Sequence, residues 1–113
     1  MIGPGAGGTE QNFNGTSAFG ENIVIGSGSG ASLTVSQENV FIGNLTATTA
    51  HAGSFRNVLV GHKAGNRLLN GFDNVFIGRK SAGAASINGA NYNTFIGSGI
   101  VTGKHYGMNL HGL

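Results

Sequence analysis

The stretch Asn39-Val40-Phe41-Ile42-Gly43 decides the fold, because close copies of it recur along the chain. In each copy an asparagine and a glycine enclose three mostly apolar residues. The five copies are NIVIG (Asn22–Gly26), NVFIG (Asn39–Gly43), NVLVG (Asn57–Gly61), NVFIG (Asn74–Gly78) and NTFIG (Asn93–Gly97). Their starting points are 17, 18, 17 and 19 residues apart. A repeat of this period indicates one structural unit built several times.

Each pentad predicts a short β-strand, because β-branched and large apolar residues between turn formers favour extended structure. The rest of each repeat has room for a turn, a second short strand and another turn. The return strands are expected near Leu33 and Val35, Leu68 and Leu69, and Ser86 and Ile87. We therefore predict an all-β, single-chain β-solenoid, or β-roll, of about five coils, one for each pentad.

Stacked coils place like residues above one another at a spacing of about 4.8 Å. The pentad asparagines are expected to form an amide ladder in which each side chain bonds to the next coil. These residues are Asn22, Asn39, Asn57, Asn74 and Asn93. The pentad glycines should form a second column, where the backbone takes a positive φ or passes too close to a neighbour for a Cβ.

The central residues of a pentad alternate between two faces of the strand. Positions two and four are β-branched throughout, which favours them as the interior of the roll. Position three, which then faces outward, is Val24, Phe41, Leu59, Phe76 and Phe95. Covering this column favours association by about 8 to 15 kcal/mol per chain. We predict that these five residues form an interface between copies of the chain, the alternative being that the flanking arms fold over them.

The pentads and their turns resemble the head repeats of trimeric autotransporter adhesins and the N-x-x-I-G-x-x-A-G repeats of bacteriophage tail-fibre proteins. The segments GHKAG (Gly61–Gly65) and GRKSAG (Gly78–Gly83) fit the second variant. The resemblance covers residues 22–97 and implies a parallel homotrimer with position three at or near the threefold axis. Two departures are the large residues at position three, where the adhesin repeats have a small one, and the longer, irregular repeat.

The predicted organisation has three parts. Residues 1–20 are a glycine-rich arm for attachment or capping, residues 21–97 are the β-solenoid, and residues 98–113 are a cap or tip. The sequence begins with Met1 and shows no export signal or apolar span, which favours a virion component assembled in the host cytoplasm.

The expected function is non-enzymatic and structural. The resemblance implies a capsid decoration, head fibre or tail-fibre segment at the virion surface, which binds other capsid or tail proteins and contributes to host-surface attachment. The alternative is a fragment of a bacterial adhesin head, located at the cell surface, that binds a host surface or matrix.

Charged residues make up only 9% of the chain, and all six basic residues lie beyond residue 55. No basic run is dense enough for a nucleic-acid groove, and no membrane insertion is predicted. Five basic residues are expected on outer loops that meet anionic host polysaccharide, with simple solubility as their alternative role: Arg56, Lys63, Arg67, Arg79 and Lys80.

Groups for catalysis are scarce, since Asp73 is the only aspartate and cysteine is absent. We therefore predict no enzymatic activity, no cofactor and no metal site formed within one chain. On a threefold axis, however, His105 or His111 could meet its symmetry mates and bind a metal or an anion. A polysaccharide-acting enzyme, the remaining alternative, would need acids such as Asp73 and Glu38 to converge between subunits.

Overall fold

A computed structural model of the chain describes residues 2–4, 6, 21–33, 36–49, 53–82, 87–99 and 107–110. The strands in these ranges are β1 (Ile23–Ile25), β2 (Ser36–Gln37), β3 (Val40–Ile42), β4 (Ser54–Phe55), β5 (Val58–Val60), β6 (Leu68–Phe72), β7 (Val75–Ile77), β8 (Ile87–Asn91), β9 (Asn93–Ile96) and β10 (Gly107–Leu110). Within the same ranges, no helix has the length and apolar character needed to cross a membrane.

The strands form two parallel sheets that the chain visits in turn. The front sheet contains the pentads in the order β1-β3-β5-β7-β9-β10, and the back sheet has the order β2-β4-β6-β8. Equivalent pentad residues are in register, as Val40, Val58 and Val75 show. The predicted all-β solenoid is thus confirmed, with four complete coils in the described residues before β9 begins another.

The return strands agree only in part with expectation. Leu68 and Leu69 lie in β6 and Ile87 begins β8, but the first return strand starts at Ser36 rather than at Leu33. Leu33 instead lies in the buried core. Val35 and Ser86 lie outside the described residues.

The interior of the roll is formed by position three of the pentads, so the predicted assignment of faces was wrong. The five side chains expected at a trimer interface are fully buried within the single chain: Val24, Phe41, Leu59, Phe76 and Phe95. They pack with Leu33 and Leu68 and with small residues of the turns. The rings of Phe76 and Phe95 stack with centroids 4.8 Å apart and planes 10° from parallel. A column enclosed in one chain cannot be the surface between chains.

The pentad asparagine explains this reversal. Asn39 is buried, and its Nδ2 donates to the carbonyl of Ser54 in the back sheet, 2.8 Å away. Position one therefore faces inward, and position three, two residues further along the strand, shares that direction. Because the front strand is short, one large side chain per coil fills the space between the sheets. The β-branched residues at positions two and four consequently lie on the outer face.

The predicted asparagine ladder is confirmed. Oδ1 of each of the first four asparagines accepts hydrogen bonds from the backbone N–H and the Nδ2 of the asparagine in the next coil. The Nδ2-to-Oδ1 distances along the ladder are 2.9, 3.1, 2.9 and 3.1 Å. The ladder joins Asn22, Asn39, Asn57, Asn74 and Asn93 in a continuous line. These bonds tie the register of one coil to that of the next, in addition to the backbone pairing.

The glycine column at the end of the front strands is also confirmed. Gly61 has a φ of +135°, and a Cβ at this residue would lie 2.6 Å from the carbonyl oxygen of Gly78. Both physical reasons for glycine, a positive φ and a close backbone approach, apply together here. The coils can stack at this end of the front strands only because the glycines have no side chain.

Stacking extends beyond residues 21–97 at both ends. Ile2 forms a parallel bridge with Ile25, and its N–H donates to the carbonyl of Val24 at 2.8 Å. At the other end β10 pairs with β9, with Gly107 opposite Asn93. Thus parts of the predicted arm and cap continue the front sheet. Residues 7–20 and the histidines predicted near the axis, His105 and His111, lie outside the described residues.

Candidate interaction surfaces

The outer side of the front sheet, which we call the front face, is an apolar surface. It consists of pentad positions two and four: Ile23 and Ile25, Val40 and Ile42, Val58 and Val60, Val75 and Ile77, and Thr94 and Ile96. Ile23, Ile77 and Ile96 are 53%, 37% and 43% exposed in the single chain, and the others are partly buried. Contiguous apolar patches of this kind typically mark interaction sites on soluble proteins.

The turn that follows each front strand carries a second group of candidate residues. These front turns are Gly26–Gly30, Gly43–Ala47, Gly61–Gly65 and Gly78–Ala82, and they stack through backbone hydrogen bonds such as that from Lys80 N–H to the His62 carbonyl, at 2.8 Å. Lys63 and Lys80 occupy equivalent sites with φ of +58° and +56°. With exposed Arg79, they form a cationic patch on adjacent coils.

The five basic residues predicted to bind a surface do not form one group. Lys63, Arg79 and Lys80 lie together in adjacent front turns. Arg67 is exposed immediately before β6, outside these turns. Arg56 lies at the opposite end of the front strands and is bound to an acid. The anionic ligand expected for these residues therefore has its best match in the cationic patch of the front turns.

Sequence reasoning missed the residue that precedes each pentad. This position, which we call the corner column, is held by Glu21, Glu38, Arg56, Asp73 and Tyr92. All five have positive φ, between +54° and +71°, although none is glycine. Such backbone conformations cost of the order of 1 kcal/mol for a residue with a Cβ. From Glu38 onward they turn the chain from the back sheet into the front sheet, so the column lies at a sharp corner.

Arg56 and Asp73 form a two-point ion pair along the corner column. Nε and Nη2 of Arg56 donate to the two carboxylate oxygens of Asp73 at 2.8 and 3.0 Å. These hydrogen bonds hold the pKa of Asp73 below its ordinary value and raise the pKa of Arg56 above its own. Since both side chains are solvent-accessible, the pair orders this surface more than it stabilises the fold.

Aromatic residues lie beside this ion pair. The Phe72 ring meets the Tyr92 ring edge to face, with centroids 5.2 Å apart and planes 88° from parallel. The Arg56 guanidinium lies 5.7 Å from the Phe72 centroid. Phe55 is in register with Phe72 on the neighbouring back strand. The sequence signal for this cluster is the recurrence of an aromatic residue directly before or at the corner position in the third, fourth and fifth repeats.

The acids considered for an enzyme do not converge within one chain. Glu38 and Asp73 lie in the corner column two coils apart, with Arg56 in the coil between them. Within the part of the chain that the structure describes, no group of three or more histidine, aspartate or glutamate residues could hold a metal ion. His62, the histidine that falls in this part, is exposed in a front turn.

Comparison of the chain with protein-family models, with curated proteins and with solved structures gave no match. Function is therefore inferred from the surfaces of the solenoid.

Proposed function

We propose that the chain is a non-enzymatic structural protein that self-associates through its front face into a parallel homotrimer. The observation that carries this proposal is the exposure of two β-branched columns in the single chain. The parallel in-register stack repeats the same two columns in every coil, which suits packing against copies of itself. The number three follows from the resemblance to trimeric adhesin heads and tail-fibre repeats.

The side chains of the front face contribute to the free energy of association. Ten partly exposed side chains, each with on the order of 40 Å² left to bury, give roughly 10 kcal/mol per chain at about 25 cal/mol per Å². This is the size of free energy needed to offset the translational and rotational freedom lost on association. The front face thus replaces position three as the source of free energy for association, because the position-three side chains are already buried within each chain.

The biological role proposed for this trimer is a rigid spacer or decoration on a virion, as a capsid decoration, head fibre or tail-fibre segment. Its partners would be other capsid or tail proteins. Support comes from the resemblance of GHKAG and GRKSAG to tail-fibre repeats. The alternative is a bacterial adhesin-head fragment at the cell surface. The genes that flank the coding sequence discriminate the two, since virion structural genes are expected only for the first.

Attachment to a host surface is proposed to involve the cationic patch of Lys63, Arg79 and Lys80. Anionic polysaccharide is the fitting ligand, because neighbouring coils repeat the positive charges at a fixed spacing of about 4.8 Å. The acids of the described residues lie in the corner column, at the other end of the front strands. Binding should weaken steeply with salt, since it depends on exposed charges.

The mass in solution tests the assembly. Sedimentation equilibrium should give about three times the chain mass of 11.4 kDa for the wild-type protein. Ile77→Lys, which places a charge on an exposed residue of the front face, should give the single-chain mass with an unchanged far-UV circular dichroism spectrum. Arg67→Gln, an exposed change near the back sheet, should leave the oligomer intact. A monomeric wild-type protein, or an intact oligomer in Ile77→Lys, would refute the role of this face.

A further inference from the structure

The corner column and the back-sheet residues beside it bring Phe55, Phe72, Tyr92, Arg56 and Asp73 together in one cluster, which we call the aromatic corner. We propose that the aromatic corner binds the pyranose units of a neutral glycan. This inference goes beyond the proposed function, because it requires only one chain. It also assigns a ligand class to residues outside both the front face and the cationic patch.

The aromatic rings supply the apolar half of such a site. Tyr92 is 58% exposed, and its backbone has a φ of +60°. Phe55 and Phe72 are half-buried on adjacent strands, so apolar surface continues across neighbouring coils. A pyranose presents a face of C–H groups that packs against an aromatic ring, and rings with a polar tip suit ligands that are partly apolar and partly wet.

The ion pair supplies the polar half. Two of the five N–H groups of Arg56 are used by Asp73, which leaves three for a ligand. Each carboxylate oxygen of Asp73 can accept a further hydrogen bond. Sugar hydroxyls both donate and accept, so a guanidinium and a carboxylate side by side match a pair of neighbouring hydroxyls. Hydrogen bonds from charged groups are also the stronger ones.

The site is already ordered before a ligand arrives. Arg56 is held by Asp73 at two points and by the Phe72 ring, and Phe72 is in turn packed against Tyr92. Little side-chain freedom remains to be lost on binding, which favours affinity for a small ligand. Both groups of the ion pair lie in neighbouring coils, so the regular stack fixes their separation.

The chemistry of the aromatic corner favours a neutral glycan over other ligands. Arg56 and Asp73 cancel in charge, and Glu38 lies in the same column, so an anionic polymer gains nothing here. The cluster spans three coils, on the order of 14 Å along the stack. This is small for a protein partner, since a stable interface needs about 800 Å² on each side. A few sugar units fit the available surface.

A glycan microarray of neutral and acidic oligosaccharides tests the inference. The wild-type protein should bind at least one neutral glycan, and titration calorimetry with that oligosaccharide should show affinity about tenfold lower for Tyr92→Asn. Asparagine is the appropriate replacement because it tolerates positive φ. Tyr92→Phe, which keeps the ring, should retain most of the affinity. Asp73→Asn should weaken binding independently of the ring.

The controls separate this site from the other surfaces. Lys63→Gln combined with Lys80→Gln should leave neutral-glycan affinity unchanged. Ile77→Lys should also keep the affinity per chain, whatever its effect on the oligomer, so failure of the assembly model and failure of this inference are distinguishable. Absence of binding to any neutral glycan would overturn the proposal. So would affinity that survives both Tyr92→Asn and Asp73→Asn in variants with wild-type circular dichroism.

Discussion

Replacement of Asn57 by alanine tests how much of the fold depends on the asparagine ladder. The change removes the bonds from Nδ2 to Asn39 Oδ1, at 3.1 Å, and to the Gly71 carbonyl, at 2.9 Å. It also removes the acceptor for Asn74, whose N–H and Nδ2 lie 3.1 and 2.9 Å from Asn57 Oδ1. At about 1 kcal/mol for each bond, the free energy of unfolding should fall by about 4 kcal/mol. Water cannot replace these partners, because all of them are buried.

The same substitution at the end of the ladder is the matched control. Asn22→Ala removes a bond to the Ser36 carbonyl and the acceptor for the N–H and Nδ2 of Asn39. Asn22 is only partly buried, so water can replace part of what is lost. We expect a loss of about 1 to 2 kcal/mol, roughly half or less of the loss at Asn57.

Urea unfolding followed by far-UV circular dichroism measures both losses, which is necessary because the chain has no tryptophan for fluorescence. The protein concentration should be the same for all variants, since association would add to apparent stability. If Asn57→Ala lowered the free energy of unfolding no more than Asn22→Ala, the ladder would be a consequence of stacking and not a cause of its stability.

Three further variants test other parts of the structure. Gly61→Ala should prevent folding or lower the free energy of unfolding by more than about 3 kcal/mol, because its Cβ would meet backbone atoms. Gly99→Ala, where a Cβ would meet open space, should lower it by about 1 kcal/mol or less. Urea unfolding followed by circular dichroism measures both. Ser54→Ala should raise the free energy of unfolding by about 1 kcal/mol, because the buried Ser54 hydroxyl has no partner. A lower free energy of unfolding in the urea titration would show that this hydroxyl forms a stabilising bond. Arg56 lowers the pKa of Asp73, so their pairing stabilises the folded state above the unfolded-state pKa of Asp73. This stabilisation is lost as the pH falls through the folded-state pKa. Arg56→Gln should therefore reduce the fall of the urea midpoint at acid pH, and a dependence of the midpoint on pH equal to that of the wild type would contradict this linkage.

The stacking of the coils could be predicted from the sequence because it depends on residue identity. An asparagine ladder and a glycine column each need one residue type at one position, and both recur in every pentad. The period and the register of the front sheet follow directly from these columns. The return strands lack such a signature, and β2 accordingly lies a few residues beyond Leu33.

The direction of the pentad side chains could not be predicted from hydrophobicity. Positions two, three and four are almost all apolar, so the sequence offers two opposite solutions. The choice is made by Asn39 and its equivalents, whose amides bond across the roll to back-sheet carbonyls and so face inward. This polar requirement fixes position three as interior. A prediction that treated the asparagine only as a partner for its neighbours along the stack missed this second bond.

The corner column escaped prediction for a different reason. Its conformation repeats, but its chemistry does not, since it holds two glutamates, an arginine, an aspartate and a tyrosine. Aspartate is the one member of this set that commonly adopts a left-handed backbone, so the column as a whole carries no consistent signal for it. The contacts among Arg56, Asp73 and Phe72 therefore became visible only when the coils were stacked.

The glycine column favours changes in the length of the solenoid by whole repeats. The column glycines Gly26, Gly43, Gly61 and Gly78 each lie against the backbone of the glycine in the next coil, so each coil packs against its immediate neighbours. Gain or loss of one entire repeat, such as residues 39–56, would rejoin asparagine to asparagine and glycine to glycine and alter the height by about 4.8 Å. The spacing between pentads varies from 17 to 19 residues, so small length differences are absorbed in the connections, whereas a change within a pentad would shift its asparagine and glycine out of their columns. Evolution can therefore lengthen or shorten the solenoid by whole repeats without changing its cross-section.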